Sequence, residues 1–370
     1  MALSIAIAPQ TLPATWYCDP AIYARERDVI FGSNWQLAVF SPDVAAPGSY
    51  AVGAVGDREV VVVRDDEGTL RAFHNVCQHR GNLIAEGAGR CTTLVCPYHA
   101  WTYDLDGALR KAPGMDAIDV ASVQLRPVHV EERYPFVFVN PGAPEPGVGE
   151  VFGGLFDALA ETGVDFARLV ADGVRMVRRW ETACNWKVLV ENSLECYHCA
   201  PAHPSLRRTL DLAHFTQDVN ARWSLQGGRM KKDADAEVLD DTMGSFTHAK
   251  ALTIDGTDVA RFGFLYPNVM LEVFPGTKSF SVNQIFPVGH DRTRQVLTKF
   301  LSGTSADDER RDWDEFIAPV IQEDIVLCER TQRGLASGAI NRGMLNLSGS
   351  GANELCIGHF VALVEQALAG

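Results

Sequence analysis

Cys77-Gln78-His79 and Cys96-Pro97-Tyr98-His99 are two short runs with sixteen residues between them, each offering one thiol and one imidazole. A structural zinc clip would set two cysteines about two to four residues apart, and Cys-x-His is a poor substitute for it. Cys91 with Cys96 has the first spacing of a plant-type ferredoxin, yet His99 stands where its third cysteine belongs. The set that fits is a two-iron cluster with two thiolates on one iron and two imidazoles on the other.

That is the Rieske ligand set, with Cys77, His79, Cys96 and His99 as cluster ligands. Replacing two anionic thiolates by neutral imidazoles raises the potential from about −400 mV to roughly −150 to +300 mV. Such a centre accepts electrons from an ordinary ferredoxin or flavin and passes them on. The flanking runs, Asn75-Val76-Cys77-Gln78-His79-Arg80-Gly81 and Cys96-Pro97-Tyr98-His99-Ala100-Trp101-Thr102-Tyr103-Asp104-Leu105-Asp106-Gly107, resemble the Rieske non-haem iron oxygenase family. Ala100 departs from the glycine usual there.

Outward from these loops, short β-rich runs at 50–55, 60–64, 70–75 and 136–140 imply an all-β module. Asp65-Asp66-Glu67-Gly68 reads as a hairpin turn. Before the module, Asp19-Pro20 opens a short helix that ends near Phe31-Gly32. After it, Pro141 to Gly154 reads as a linker. Helices are then expected at 154–161, 186–197, 307–334 and 358–368, and strands at 176–182, 261–274, 280–287 and 294–301. The polar stretch 231–245 reads as an exposed loop. The expected class is α+β: an N-terminal helical segment (1–34) packing on the catalytic domain, an all-β Rieske domain (35–145), and a catalytic domain with a helix-covered antiparallel sheet (146–370). A chain of 370 residues suits two cores.

A formal charge of −14 with no clustered basic face argues against nucleic acid. No long uncharged apolar run suggests a membrane span, and Met1 to Pro13 lacks a basic leader, so a cytoplasmic protein is expected. Nine cysteines, irregularly spaced, do not make a disulfide framework. Cys18, Cys91, Cys184, Cys328 and Cys356 read as small core residues, and Cys196 and Cys199 as packing residues. His74, His129, His214, His248, His290 and His359 lack ligand spacing and read as surface or hydrogen-bonded structural residues.

The second half carries Glu191-Asn192-Ser193-Leu194-Glu195-Cys196-Tyr197-His198-Cys199-Ala200-Pro201-Ala202-His203-Pro204. Histidines five apart face one ion only if the helix is distorted, as Pro201 between them would do. Glu195, three residues before His198, shares its face. Two histidines and a carboxylate with open positions form the facial triad of non-haem Fe(II) oxygenases. Gln322-Glu323-Asp324-Ile325-Val326-Leu327-Cys328-Glu329 resembles the family's ligand-bearing segment, which makes Asp324 the third ligand and Glu323 the fallback.

The resemblance implies the oxygenase component of an O2-using system, with Glu195 and Asn192 in the catalytic machinery. A separate NAD(P)H-dependent flavin and iron–sulfur reductase supplies electrons to the [2Fe–2S] cluster, which feeds a mononuclear Fe(II). No Gly-x-Gly-x-x-Gly lies between a strand and a helix and there is no P-loop, so no nicotinamide or flavin site is expected in the chain itself. The family further implies a homotrimer in which His99 of one subunit meets Glu195 of the next. Within the family, the 191–199 run looks like the branch that attacks quaternary ammonium compounds, implying N-demethylation. The alternatives are aromatic-ring hydroxylation and a Rieske electron-transfer protein without chemistry of its own. Phe262, Phe264 and Tyr266 alternate along one strand, with Phe274, Phe280 and Trp223 in neighbouring segments, as candidate walls of a substrate pocket.

Overall fold

The structure is a computed structural model that describes residues 6–143, 146–171, 174–229, 259–273, 279–301, 317–348 and 351–369. Two compact units emerge: Arg27–Glu150, and Met1–Glu26 together with Val151–Gly370. The first helix, α1 (Pro20–Val29), opens as its sequence predicts, with Asp19 Oδ1 accepting from Ala21 N at 2.7 Å.

The smaller unit is built on antiparallel strands, with short 3-10 helices at Ser41–Val44 and Val120–Ser122 between them. Its strands are β1 (Gln36–Phe40), β2 (Ser49–Val55), β3 (Arg58–Arg64), β4 (Leu70–His74), β5 (Ala88–Arg90), β6 (Leu94–Val95), β7 (Thr102–Tyr103), β8 (Leu109–Lys111), β9 (Pro127–Arg133) and β10 (Phe136–Asn140). Seven of them form a sheet in the order β1-β10-β9-β4-β3-β2-β5, and β6-β7-β8 form a second. Val60 to Val63 of β3 are all buried, which is why that run reads as continuously apolar rather than alternating. The hairpin after β3 turns on Asp65, whose Oδ1 accepts from Thr69 N at 2.7 Å. Short strands such as β5 to β8 carry too few residues to show a period and escape a sequence reading.

The larger unit holds a seven-stranded antiparallel sheet. Its elements are α2 (Val148–Ala160), α3 (Phe166–Ala171), β11 (Val174–Thr182), α4 (Trp186–Ser193), α5 (Cys199–Ala202), α6 (Pro204–Thr209), β12 (Thr216–Asn220), β13 (Trp223–Arg229), β14 (Val259–Leu265), β15 (Val269–Val273), β16 (Ser279–Pro287), β17 (Thr293–Leu301), α7 (Ala318–Ala336) and α8 (Leu355–Ala369). The strand order is β11-β17-β16-β15-β14-β13-β12. Phe360 of α8 packs on Trp186 at 5.7 Å and on Phe264 at 5.9 Å between ring centroids.

Three expectations need correction. The supposed linker Pro141 to Gly154 is already helical from Val148, because Val148, Phe152, Leu155, Phe156 and Leu159 supply a buried stripe despite the glycines. The single strand expected at 261–274 is two, β14 and β15, turning at Tyr266-Pro267-Asn268. The helix expected at 186–197 stops at Ser193. The loop expected at 231–245, His248 and Phe274 lie outside the described residues. No helix among the described residues is long and apolar enough to cross a membrane.

Candidate metal centres and substrate cavity

The two loops of the smaller unit are built alike. Gly81 N donates to Cys77 O and Ala100 N to Cys96 O, each at 3.0 Å; Cys77 N donates to Asn82 O and Cys96 N to Trp101 O, each at 2.8 Å. The fifth residue of each loop is left-handed, Gly81 at φ +77° and Ala100 at φ +55°. A Cβ in that region costs about 1 kcal/mol, so Ala100 keeps the glycine geometry at some strain.

Cys77 and Cys96 are buried, each 2 % exposed, while His79 and His99 lie nearer the surface with their rings edge to face at 4.7 Å. His79 stacks on Trp101 at 4.8 Å. Tyr103 Oη lies 3.3 Å from Cys77 Sγ and accepts from Gln78 N at 3.0 Å, so its hydroxyl proton is free to point at the sulfur. Tyr103 is a site residue that the ligand spacing alone did not reveal, although it sits inside the diagnostic run. Two buried thiols and two outward imidazoles, on loops of equal geometry, fit a [2Fe–2S] cluster with mixed ligands.

In the larger unit, α4 is fixed before it delivers its residues. Asn185 caps it, accepting from Lys187 N at 3.0 Å, and Gln332 Oε1 of α7 accepts from Asn185 N at 2.9 Å. Lys187 and Glu26, both fully buried, pair at 2.5 Å, and Trp186 Nε1 donates to Glu26 at 2.8 Å. One side of the site therefore hangs on α4 and the other on α7.

His198 and His203 are not on one distorted helix: they bracket the single turn α5, His198 preceding it and His203 leaving it at φ −120°, ψ 87° before Pro204 starts α6. Breaking the helix, rather than bending it, brings the Nε2 atoms of both rings within 3.1 Å of each other. Asp324 Oδ1 lies 3.3 Å from His198 Nε2 and 3.1 Å from His203 Nε2. These three ligand atoms lie within 4.8 Å of one another. Glu195 accepts from His198 Nδ1 and, at 3.0 Å, from His198 N. Glu323 is 2.7 Å from His203 Nδ1, outside the trio. Each carboxylate holds a ring proton on Nδ1, which leaves Nε2 as the atom that faces Asp324. Burial works against a charge on His198, but the Asp324 and Glu195 carboxylates override it and push the ring up to about 10. Asp324 is held down to about 2 by the two rings although burial raises it. This converging set of two imidazole nitrogens and one carboxylate oxygen fits a mononuclear Fe(II). Asn192 donates to Asp324 Oδ1 at 3.1 Å.

A cavity of about 160 Å³ adjoins the trio and reaches the sheet through Phe262, Met270, Glu272, Asn283 and Gln295. Of the three aromatics expected in its wall, Phe262 is there. Phe264 and Tyr266 are not: each is 1 % exposed and packs against Phe360, because α8 covers that end of the face. Phe280 likewise packs on Phe166 and Phe300. The polar residues Glu272, Asn283 and Gln295 were missed, though their alternation along β15 to β17 places them on the cavity face.

Other expectations shift as well. Cys196 and Cys199, though buried, are joined in a disulfide across His198. Cys18 and Cys91 are only half-buried, whereas Cys184, Cys328 and Cys356 are buried as expected. His359 fits the hydrogen-bonded structural reading rather than the surface one: it is 2 % exposed and bonds to the Asn220 backbone, Nδ1 has no partner among the described residues, and burial pulls its pKa down to about 4.

Comparison with known proteins agrees with both centres. The Rieske [2Fe-2S] domain matches residues 34–125, and the catalytic domain of the ring hydroxylating alpha subunit matches 167–370. The carnitine monooxygenase oxygenase subunit of Escherichia coli is 32 % identical, covering 96 % of this chain and 93 % of its own. The chloroplastic choline monooxygenase of Arabidopsis thaliana is 34 % identical, covering 90 % and 78 %. A crystal structure of the quaternary ammonium Rieske monooxygenase CntA with an inhibitor superposes with TM-score 0.81 at 29 % identity, over 98 % of this chain and 96 % of that one. Naphthalene 1,2-dioxygenase from Rhodococcus, at 19 % identity, TM-score 0.73 and coverage of 97 % and 94 %, shares the fold. With a Rieske [2Fe–2S] domain and a mononuclear iron site on one chain, this enzyme belongs to the Rieske non-haem iron oxygenase family, as an oxygenase alpha subunit.

Proposed function

We propose that this enzyme is the terminal oxygenase of a multicomponent system that N-demethylates a small quaternary ammonium compound of the betaine type. The observation that carries the reading is the charge of the cavity. Among its described lining residues are three carboxylates, Glu195, Glu272 and Asp324, and no lysine or arginine. An aromatic acid would need a cationic partner there; a trimethylammonium head needs a negative wall and an aromatic face such as Phe262. The similarity to carnitine, choline and glycine betaine monooxygenase subunits points the same way.

The iron, when bound, supplies O2 activation next to the substrate. The residues do the rest: Glu195 and Glu323 fix the two rings, Asn192 steadies Asp324, and the apolar side chains Leu189, Phe262 and Leu297 exclude water. One methyl C–H becomes C–OH while O2, two electrons and two protons yield that hydroxyl and one water. The N–CH2OH product then breaks its C–N bond, releasing formaldehyde, a proton and the tertiary amine.

The electrons come from a separate NAD(P)H-dependent reductase, and the productive pair of centres lies across a subunit boundary in a homotrimer, His99 of one subunit meeting Glu195 of the next. Exposed apolar side chains flank both ends of that path: Val95 and Tyr98 beside the cluster loop, 46 % and 59 % exposed, and Tyr197 beside Glu195, 57 % exposed. One similar structure is described as revealing inter-subunit electron transfer in a quaternary ammonium Rieske monooxygenase.

The test is reconstitution with a matched reductase and NADH, screening betaines and choline against benzoates. Formaldehyde formed in step with O2 consumption from an N-methylated cation supports the proposal; phenol from benzoate, with no N-methylated cation turned over, replaces it with ring hydroxylation.

A further inference from the structure

Of the three carboxylates in the cavity wall, two are engaged by imidazoles: Glu195 by His198, and Asp324 by both rings. Glu272 is held differently. It sits on β15 opposite Phe262 of β14 and opposite Ser281 of β16, which in turn faces Lys299 of β17. Asn283 donates a side-chain hydrogen bond to it, and Lys299 acts on it as a positive charge from farther along the face without lining the cavity.

Beside it, Asn283 and Gln295 are 9 % and 7 % exposed, and their Oδ1 and Oε1 atoms have no hydrogen-bond partner among the described residues. With the Asn283 amide nitrogen turned to the carboxylate, its oxygen is the end left over. Buried acceptors are rarely left empty in a folded protein, and both line this cavity. The wall therefore offers oxygen acceptors next to an aromatic ring. A trimethylammonium spreads its charge over methyl hydrogens, which meet oxygen acceptors through weak C–H···O contacts and meet the ring through its face.

We infer that Glu272, flanked by the free oxygens of Asn283 and Gln295, is the specificity-determining residue that reads substrate charge, holding an alkylammonium head beside Phe262 in the same cavity as the His198–His203–Asp324 trio. This rests on the quaternary ammonium reading above. Burial lifts the Glu272 carboxyl to about 7 even with Lys299 and Asn283 opposing it, so a cation in the cavity supplies what the ionised form lacks.

The experiment uses full-length, iron-loaded wild type, Glu272→Gln and Glu272→Asp, with cluster absorbance and iron content checked in each. Binding is measured for two pairs of equal shape: choline against 3,3-dimethylbutan-1-ol, and glycine betaine against 3,3-dimethylbutanoate. Wild type is expected to favour the nitrogen compound by about tenfold or more in at least one pair. Glu272→Gln should lose about tenfold for that cation and less than about twofold for its carbon isostere, and Glu272→Asp should recover part of the preference. An undiminished preference in Glu272→Gln overturns the assignment while leaving the quaternary ammonium reading in place. Equal losses for both members of a pair make Glu272 a packing residue and also overturn it. No preference in wild type for either pair overturns the assignment and the reading together.

Discussion

The two metal regions are assembled over different lengths of chain. The proposed cluster ligands lie between Cys77 and His99 on two loops with the same backbone hydrogen bonds, so each loop holds its own shape. The mononuclear trio joins His203 to Asp324, 121 residues away, and depends on α4, α5 and α7 all being in place. Local loops write their geometry into adjacent residues; a long-range site writes it into supporting contacts, here Gln332 on Asn185, Glu26 on Lys187 and Glu323 on His203.

The largest expected effect separates the two regions outright. Asp324→Ala, His198→Ala or His203→Ala should each lose the mononuclear iron and reduce turnover to background, with the Rieske absorbance intact; Cys77→Ser should bleach the cluster and leave the other iron bound. Metal analysis beside the visible spectrum decides it, and any of these variants that empties both centres breaks the comparison.

Glu195 probes the connection between the regions. Glu195→Ala should keep both centres loaded yet slow steady-state turnover by about a hundredfold, because it removes the carboxylate on His198 and the proposed link to a neighbouring subunit's His99. Turnover like wild type would remove the link. Glu323→Gln should be milder, roughly tenfold in iron affinity by chelator competition, since an amide still contacts His203 Nδ1 but no longer carries charge. If Glu323→Gln loses its iron while Asp324→Ala keeps it, the two residues have exchanged roles.

The smallest effect sharpens the likeness of the two cluster loops. Ala100→Gly should raise the stability of the Rieske unit by about 1 kcal/mol in denaturant titration, by relieving the left-handed alanine. A loss of stability would mean that the methyl group contributes packing that outweighs its strain.

This difference in scale also explains what could be read from the sequence. The Rieske domain is legible from Cys77, His79, Cys96 and His99 because spacing alone restricts such loops to few metal sites. His198 and His203 were legible as a pair, but the backbone around them was not, since Pro201 and Pro204 are compatible with either a bent or a broken helix. Glu323 and Asp324 are neighbours in sequence, and only α7's placement puts one on Nδ1 and the other in the trio. Phe264 and Tyr266 shared the expected face with Phe262, but which part of a sheet face stays open depends on where α8 lands, and strand periodicity carries no information about that. Glu272 illustrates the reverse: an acidic residue inside an apolar strand, Val269-Met270-Leu271-Glu272-Val273, is a local conflict of the kind that marks a functional position.

This one chain holds both the electron store and the oxygenating site. The most direct measurement is a single turnover without any reductase: the protein is chemically reduced, freed of reductant, and exposed to O2 with glycine betaine, choline or carnitine. Formaldehyde should appear in a burst limited by the enzyme concentration, accompanied by reoxidation of the Rieske spectrum, and should be absent from Asp324→Ala although its cluster still reoxidises. A burst of equal size in Asp324→Ala, or cluster reoxidation in wild type with no product from any of the three compounds, contradicts the account.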